Sequence, residues 1–411
     1  MQHIIDLFRA GQRVYVAGSS NEPTGLLNAL GQCELPENLQ FIQFPLPGLN
    51  QTDFTQWNDS ASVTTFFMSS ALAAADSSRV HYLPMQMRTT YDYLGSKVDV
   101  YLLQVAYDHE GRLRVGPNVD FHDSVLAQGP IVIAQLNPTL VAPAGSPLIN
   151  PALIDAMFES DESAPALAPA NIDEAAKAIG GLVAGLIRDG DCLQTGIGAI
   201  PAAILSQLSD KNDLGMHGGL IDDGGMQLIE NGNLTGARKA LDTHKHVTGM
   251  ALGSAELMSW LAGRRDVVFR GANHTHEVSA IRQLDGFVSV NSAVEVDLFG
   301  QANAEMAGGR QISGTGGSVD FMRAAKASKG GRSIVAMNAT ARGGSVSRIV
   351  PKVEMVTALR TDVDTVVTEY GVAQIKDLPN QARAEALINI AAPQFREELR
   401  APLRLVRSQV Q

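Results

Sequence analysis

The segment CLQTGIGAIPAAILSQL, residues 192–208, joins a short apolar stretch to a helical pattern through two closely spaced glycines. The segment VYVAGSSNEPTGLLNAL, residues 14–30, has the same order of strand, glycine turn and helix. Alternation of strands and helices is typical of α/β layers with largely parallel sheets. We therefore predict an α/β protein with two related domains of mainly parallel sheets, although strand–glycine–helix units also recur in unrelated α/β proteins.

A segment rich in proline, alanine and acidic residues separates two series of strand and helix patterns. It reads SDESAPALAPANIDEA at residues 160–175 and is typical of a linker. We therefore predict an N-terminal domain over residues 1–170 and a C-terminal domain over residues 171–411. The second domain contains the densest glycine loops of the sequence.

The helix that opens the second domain has recognisable end signals. In NIDEAAKAIGGLVAGLIRDG, residues 171–190, Asn171 is followed three residues later by Glu174, which resembles a capping box. Gly190 is a natural stop, because glycine adopts the backbone conformation that ends many helices. These signals predict one helix between Asn171 and Gly190.

The composition excludes one class of partner. The chain has 411 residues, 45% of them hydrophobic, and a formal net charge of −11 at pH 7. No block of lysine and arginine is long enough for a nucleic-acid-binding stripe, so we expect no nucleic-acid partner. Binding of a small anion needs only a local cluster of charge and stays open.

Cysteine content and hydropathy predict a reducing, cytoplasmic setting. The two cysteines, Cys33 and Cys192, lie far apart and lack metal-binding spacing. No apolar run reaches the roughly 18 residues of a membrane-spanning helix, so we expect no membrane partner. The N-terminus lacks the basic and apolar regions of a secretory signal.

Paired histidines are the main hint of a metal site. The pairs are His244 with His246 and His274 with His276. Neither pair has a cysteine or carboxylate at a known ligand spacing. We therefore predict no metal.

Two glycine loops are candidate ligand-binding elements. TGIGAIP, residues 195–201, leaves a strand and enters a helix, and its backbone amides are suited to an anion. Pro201 breaks the dinucleotide-binding spacing, so a ligand loop and a structural turn both stay open. GGRQISGTGGSVDF, residues 308–321, has three glycines in four positions, and such a run forms a nest of N–H groups that stabilises an oxyanion.

Several ordered segments resemble the acetyl-CoA hydrolase/transferase family, which includes the 4-hydroxybutyrate CoA-transferases among the class I CoA-transferases. The resemblance runs over nearly the whole chain. It implies two α/β domains with the active site between them, usually in a homodimer. The main segments are LIRDGDCLQTGIGAIPAAIL (186–205), VSVNSAVEVDLFGQANAE (288–305), ISGTGGSVDFMRAAKASKGGRSIVAM (312–337) and VVTEYGVAQIKDLP (366–379).

The resemblance also implies a mechanism and a set of site residues. In the family, a glutamate attacks an acyl-CoA and forms an acyl-glutamyl anhydride and then a glutamyl-CoA thioester, from which an acceptor carboxylate takes the CoA. Gly317 matches the oxyanion-hole glycine, in the nest with Gly314 and Gly316, and Arg342 matches the basic residue near the CoA diphosphate. The residues implied to lie on CoA are Gly196, Ile197, Gly198, Ala199 and Ile200.

One segment departs from the family pattern. In LGMHGGLIDDG, residues 214–224, the place of the catalytic glutamate falls on Gly219, which cannot form an anhydride. We predict that the enzyme moves CoA between an acyl-CoA and a carboxylate, and three interpretations of its chemistry are open. In the first, another carboxylate takes the role, and the candidates are Glu22, Asp222 and Asp223.

The other two interpretations need no substitute carboxylate. In the second, water or another acceptor enters the vacated space, and the protein is a thioesterase or another acyl-transfer enzyme. His217 is then the candidate general base, and the glycine amides polarise the thioester. In the third, the protein binds acyl-CoA without turnover.

Overall fold

The computed structural model of the protein describes residues 1–162 and 171–401. Residues 163–170, which include the predicted boundary at residue 170, lie outside that range, so the division into domains stays a prediction. Each half contains its own sheet, which confirms the predicted α/β class.

The N-terminal sheet has eight strands and is parallel except for one pair. Its order is β4-β3-β2-β1-β5-β7-β8, and β6 pairs with β5 in the antiparallel direction. The central strand β5 is buried along nearly its whole length, as expected for a parallel strand covered on both faces. The strands are β1 (Arg13–Val16), β2 (Gln40–Gln43), β3 (Ser62–Thr65), β4 (Val80–Tyr82), β5 (Val100–Tyr107), β6 (Leu113–Val115), β7 (Ile131–Leu136) and β8 (Ala156–Glu159).

Short helices and 3-10 turns connect these strands. The predicted helix after the first strand is present as α2. The helices are α1 (Gln2–Ile5), α2 (Thr24–Leu30), α3 (Ser70–Ala74), α4 (Met87–Leu94) and α5 (His122–Leu126). The 3-10 turns of this half are Ser19–Asn21, Phe54–Gln56 and Pro151–Leu153.

The C-terminal half is built on a six-stranded sheet with the order β10-β9-β15-β20-β24-β25. It is parallel except between its last two strands. Small two- and three-stranded sheets surround it. The strands are β9 (Cys192–Gln194), β10 (Gly215–Met216), β11 (Leu220–Ile221), β12 (His246–Thr248), β13 (Met250–Ala251), β14 (Val267–Phe269), β15 (Phe287–Asn291), β16 (Glu295–Asp297), β17 (Ala302–Asn303), β18 (Met306–Ala307), β19 (Arg310–Gln311), β20 (Arg332–Ala336), β21 (Thr340–Ala341), β22 (Val346–Ser347), β23 (Ile349–Val350), β24 (Thr365–Thr368) and β25 (Gly371–Gln374).

The helices of this half include α7 (Ala199–Leu205) and α12 (Ser318–Ala327), each of which follows one of the two glycine loops. A 3-10 turn at Pro393–Phe395 comes after the last of them. Among the described residues, none of the helices combines the length and the apolar character needed to cross a membrane. The helices are α6 (Glu174–Ala184), α7 (Ala199–Leu205), α8 (Asp223–Glu230), α9 (Ala255–Ala262), α10 (Ala272–Thr275), α11 (Val278–Ile281), α12 (Ser318–Ala327) and α13 (Asn380–Asn389).

The end signals assigned to the first of these helices were wrong. The N-cap of α6 is Asp173, whose carboxylate accepts a hydrogen bond from the Ala176 N–H at 2.8 Å. Asn171 lies two residues too early for that contact. The helix ends at Ala184 with Gly185 as its C-cap, and Gly190, with a φ of +82°, lies in a later turn.

The two halves share a hydrophobic core and hydrogen bonds. The largest apolar cluster contains Tyr101 and Val132 of the first half together with Val290 and Val367 of the second. The second glycine loop is tied to the first half, because Thr315 Oγ1 donates to the Met85 carbonyl at 2.6 Å and Met87 N–H donates to the Gly316 carbonyl at 3.1 Å. The loop is therefore held in place by the opposite half.

Candidate active site

A cavity of about 480 Å³ opens between the two halves. Both glycine loops reach it, so the structure brings together the two segments that the sequence singled out. Aromatic and aliphatic side chains dominate the rest of its wall. The lining residues used below are Tyr15, Ser19 and Asp120 of the first half and Gly196, Ile197, Ile200, Gly219, His276, Gly314, Gly316, Gly317 and Arg348 of the second.

The first glycine loop connects β9 to α7. Gly198 has a φ of +111°, which favours glycine, whereas a Cβ atom built on Gly196 would meet nothing within 4 Å. Gly196, Ile197 and Ile200 line the cavity, and Gly198 and Ala199 belong to the same turn without lining it. The loop thus combines one glycine that its backbone requires with another that leaves open space for a ligand.

The second glycine loop precedes α12, and all three of its predicted site glycines line the cavity. A Cβ atom on Gly314 would stand 2.3 Å from the Phe66 carbonyl oxygen, and Gly316 has a φ of +53°. Gly317 is the N-cap of α12. The unpaired N–H groups and positive dipole end of this helix therefore lie at the cavity wall, where they favour negative charge.

Gly219 lines the same cavity, next to an imidazole that the sequence analysis did not assign to the site. A Cβ atom on Gly219 would stand 3.1 Å from His276 Cε1. A Cβ atom on Gly317 would stand 2.3 Å from His276 Nε2. The His276 ring therefore lies between Gly219, which the resemblance places at the position of the family glutamate, and Gly317, the predicted oxyanion-hole glycine.

The hydrogen bonds of His276 indicate its tautomer. Its Nδ1 lies 2.8 Å from Thr275 Oγ1, and that hydroxyl donates to the Gly271 carbonyl at 3.3 Å. We infer that Nδ1 carries the proton and that Nε2 has a free lone pair. Burial lowers the pKa of His276 to about 3, so the ring is neutral at pH 7.

Asp120 is a second lining residue that the sequence analysis missed. The residue is 4% exposed, and its Oδ1 has no hydrogen-bond partner among the described residues. Burial raises the pKa of this carboxyl group to about 7. Its neighbours in the sequence, NVDFHD, match no catalytic motif, so only the tertiary structure identifies it.

His217, the predicted general base, does not line the cavity. It is fully buried, its Nε2 lies 3.2 Å from the His274 carbonyl oxygen, and burial lowers its pKa to about 3. The structure groups it instead with Asp242 and His274, with one ligand atom from each residue within 4.8 Å of the others. Such a group can hold a metal ion, so the prediction of no metal stays untested.

The substitute carboxylates named from the sequence also lie away from the cavity wall. Glu22 is buried and accepts a hydrogen bond from Gln43 Nε2 at 2.7 Å, and burial raises its pKa to about 7. Asp222 is the N-cap of α8 and accepts from the Gly225 N–H at 2.9 Å. Asp223 accepts from the Ser254 N–H at 3.0 Å. Each of these carboxylates accepts a hydrogen bond from a residue of the surrounding structure, and none is among the lining residues of the cavity.

The segment ARGGSVSR, residues 341–348, contains two arginines, and one of them reaches the cavity. Arg348 lines it, with Nε donating to the Val294 carbonyl at 2.7 Å. Burial lowers the pKa of this guanidinium. Arg342 is exposed in the turn between β21 and β22, with a φ of +50°, and does not line the cavity. Its predicted contact with the CoA diphosphate stays a prediction.

Comparisons with known proteins show which proteins this chain is similar to. A family model described as the acetyl-CoA hydrolase/transferase C-terminal domain matches residues 253–403. A 4-hydroxybutyrate coenzyme A transferase from Clostridium kluyveri is 39% identical over 333 residues, which cover 79% of this chain and 78% of the relative. A butyryl-CoA:acetate CoA-transferase from Anaerostipes caccae is 35% identical over 78% of this chain and 74% of the relative.

A solved structure supports the fold over almost the full length. The crystal structure of RipA from Yersinia pestis superposes with a TM-score of 0.90 and 27% identity. The match covers 99% of this chain and 96% of that protein.

Proposed function

Because the chain belongs to the acetyl-CoA hydrolase/transferase family, we propose that it moves CoA between an acyl-CoA and a free carboxylate in the cavity between its two halves. It is an acyl-CoA-utilising enzyme of transferase or hydrolase type. The observation that carries the proposal is the convergence of both glycine loops on one cavity. A single thioester there can contact both loops at once.

The second glycine loop supplies the electrostatic part of the reaction. The thioester carbonyl lies against the backbone of Gly317, where the N-terminus of α12 stabilises the negative charge of a tetrahedral intermediate. These amides are fixed before substrate arrives, because the loop is hydrogen-bonded to the opposite half. Their stabilisation therefore needs little rearrangement during the reaction.

The acyl group lies in the apolar part of the cavity, whose wall includes Phe44, Leu46, Phe67 and Phe121. This lining favours aliphatic acyl chains over charged ones, because burying a charge without a partner is costly. The nucleotide part of CoA runs outward along the first glycine loop, where Ile197 is 41% exposed. Arg342 is the proposed contact of the diphosphate.

Hydrolysis is the second candidate reaction, and His276 favours it. Its Nε2, which has no hydrogen-bond partner among the described residues, lies beside both Gly219 and Gly317, where it can accept a proton from an attacking water molecule. Transfer and hydrolysis share the same thioester position. They differ in the group that attacks it.

The assembly and setting of the enzyme are further parts of the proposal. We propose a homodimer in the cytoplasm, as the resemblance and the composition predict. Exposed apolar side chains at Met355, Val356 and Leu359 offer surface for a contact between subunits. Sedimentation of the purified protein measures the assembly directly.

The test of the proposed function is turnover of butyryl-CoA with acetate as acceptor. Formation of acetyl-CoA, followed by mass spectrometry, supports transfer, and release of free thiol without acetyl-CoA supports hydrolysis. Ile197→Asp introduces a charge at the cavity, and Leu153→Asp is its matched control, because Leu153 is similarly exposed, at 47%, outside the cavity. We expect the first variant alone to lose butyryl-CoA affinity. A wild-type protein that neither binds nor consumes butyryl-CoA overturns the proposal.

A further inference from the structure

We propose that Asp120 supplies the nucleophilic carboxylate of the transfer reaction, in place of the glutamate that Gly219 cannot provide. The inference rests on the proposed function, because it assigns a residue to that reaction. It depends on three observations, which are the position of Asp120, its lack of a partner and the fixed backbone around it.

The position places this carboxylate beside the altered segment. A Cβ atom built on Gly249 would stand 2.0 Å from Asp120 Oδ1 and 3.3 Å from the Gly219 carbonyl oxygen. Asp120 Oδ1 and the Gly219 carbonyl oxygen therefore both lie close to the backbone of Gly249. Asp120 comes from the first half and Gly219 from the second, so the two halves meet at the point where the family resemblance places the glutamate. The same cavity contains the oxyanion-hole candidate Gly317.

The absence of a partner distinguishes Asp120 from the other buried carboxylates. Glu22 accepts a hydrogen bond from Gln43, and Glu305 accepts from the Tyr82 hydroxyl at 2.8 Å. Asp320 accepts from the Arg88 N–H at 3.2 Å. Asp120 Oδ1 has no such contact among the residues described, although an unsatisfied buried acid destabilises the folded state. A carboxylate without a hydrogen-bond partner at a cavity wall is suited to react with a substrate that enters the cavity.

The backbone around Asp120 is held firmly, so the side chain has a defined starting position. Its N–H donates to Asn118 Oδ1 at 3.0 Å, and its carbonyl accepts from the Ala272 N–H at 2.8 Å. The preceding residue, Val119, donates to the Gly249 carbonyl at 2.9 Å. These contacts tie Asp120 to both flanks of the cavity, and in-line attack requires such positioning.

The other reactive groups on the wall fit this role less well. His276 can attack through a ring nitrogen, but the product would be an acyl-imidazole. That product contains no carboxyl carbon of the protein, so the CoA thiolate could not form a protein–CoA thioester from it. The Ser19 hydroxyl donates to Met250 Sδ at 2.9 Å. Among the described lining residues, Asp120 alone has a carboxylate side chain.

The proposed steps conserve atoms and charge. An oxygen of the Asp120 carboxylate attacks the thioester carbonyl carbon, the C–S bond breaks, and CoA leaves as a thiolate with an acyl-aspartyl anhydride on the protein. The thiolate then attacks the aspartyl carbonyl carbon, which forms an aspartyl-CoA thioester and releases the acyl group as a free carboxylate. An acceptor carboxylate reverses these steps, takes the CoA and restores Asp120.

Trapping of the thioester is the direct test. The wild-type protein is incubated with butyryl-CoA, reduced with borohydride, digested and mapped by mass spectrometry. Borohydride reduces an aspartyl thioester to an alcohol, so we expect a homoserine residue at position 120. A label at any other residue contradicts the inference.

Two variants complete the experiment. Asp120→Asn keeps the shape of the side chain and loses the nucleophile, and we expect transfer to fall by about a thousandfold or more with butyryl-CoA binding retained. Asp123→Asn removes the same charge three positions further on, from a solvent-exposed site outside the cavity wall, and should leave transfer unchanged. Retained binding also verifies that Asp120→Asn is folded.

The outcomes separate this inference from the proposed function. If Asp120→Asn transfers CoA at the wild-type rate, or if wild-type turnover proceeds with no label at position 120, the inference fails and the proposed function stands. If the wild-type protein neither binds nor consumes butyryl-CoA, both fail together.

Discussion

The imidazole of His276 lies in the direction in which a side chain at position 219 would project, with Cε1 3.1 Å from the site of a Cβ atom on Gly219. The ring of Phe321 packs against His276, with centroids 4.4 Å apart. A side chain at position 219 and the His276 ring would therefore compete for one space.

A glutamate at position 219, where the family resemblance places the catalytic residue, should therefore destabilise the protein. Gly219→Glu forces the His276 ring to move, and we expect the free energy of unfolding to fall by about 1–3 kcal/mol, the usual cost of overpacking a core. Combining it with His276→Ala frees the space and should recover part of that loss. Urea denaturation measures both variants, and equal stability of Gly219→Glu and wild type argues against the packing described.

The two loop glycines should respond differently to an added methyl group. Gly317→Ala places Cβ 2.3 Å from His276 Nε2, so we expect lower stability and a loss of turnover of about a hundredfold from displaced amides. Gly196→Ala is the matched control for stability, because its Cβ would meet nothing within 4 Å. It should weaken only the affinity for butyryl-CoA. Thermal unfolding and titration distinguish the two effects, and the prediction fails if both variants unfold alike.

Asp120 should make stability fall as the pH rises. Its pKa is about 7 in the folded protein against 3.8 for an unperturbed aspartate, so between about pH 4 and pH 7 the folded state holds a proton that the unfolded state has lost. Its contribution is full below pH 4 and is lost as the pH rises through 7. Asp120→Asn should match wild type near pH 4 and exceed it at pH 8 by up to about 4 kcal/mol.

Urea denaturation of both proteins at several pH values tests this prediction. Glu22 and Asp320, whose pKa values burial also raises to about 7, are present in both proteins, so their effects cancel in the comparison. A difference in stability that does not change with pH shows that Asp120 does not titrate in this range.

Arg342 should influence the KM only of substrates that carry the CoA nucleotide. Its exposed position is consistent with a weak contact, so Arg342→Ala should raise the KM for butyryl-CoA by about two- to fivefold, as for a surface ion pair. Butyryl-pantetheine lacks the diphosphate, and its KM should not change. Arg310→Ala, which removes an exposed arginine from β19, is the control. Equal effects on both substrates contradict a diphosphate contact.

The sequence was informative where a residue's role is local. Gly198 and Gly316 need positive φ angles, and Gly317 begins a helix, so glycine patterns alone located both loops. The alternation of strands and helices, which is also a local pattern, predicted the parallel sheets. The family resemblance implied that the two glycine loops meet at one site, and both loops line one cavity in the structure.

Residues that reach the cavity only through tertiary structure were not predictable. Asp120 and His276 reach the cavity from segments far from the glycine loops, and no motif accompanies either one. His217 lies two residues from Gly219, yet its ring packs against His274 with centroids 5.3 Å apart and faces the interior. Proximity in sequence pointed to a histidine that does not line the cavity, because the direction of each side chain is set by its packing partners.

A crystal structure of the protein with bound CoA is the decisive measurement. We expect the CoA sulfur to lie in the cavity between the two halves, with Gly317 and Asp120 within contact distance of the position of the thioester carbon, and the pantetheine arm to pass Gly196 and Ile197. CoA bound at another surface, with this cavity empty, would show that the cavity is not the CoA site.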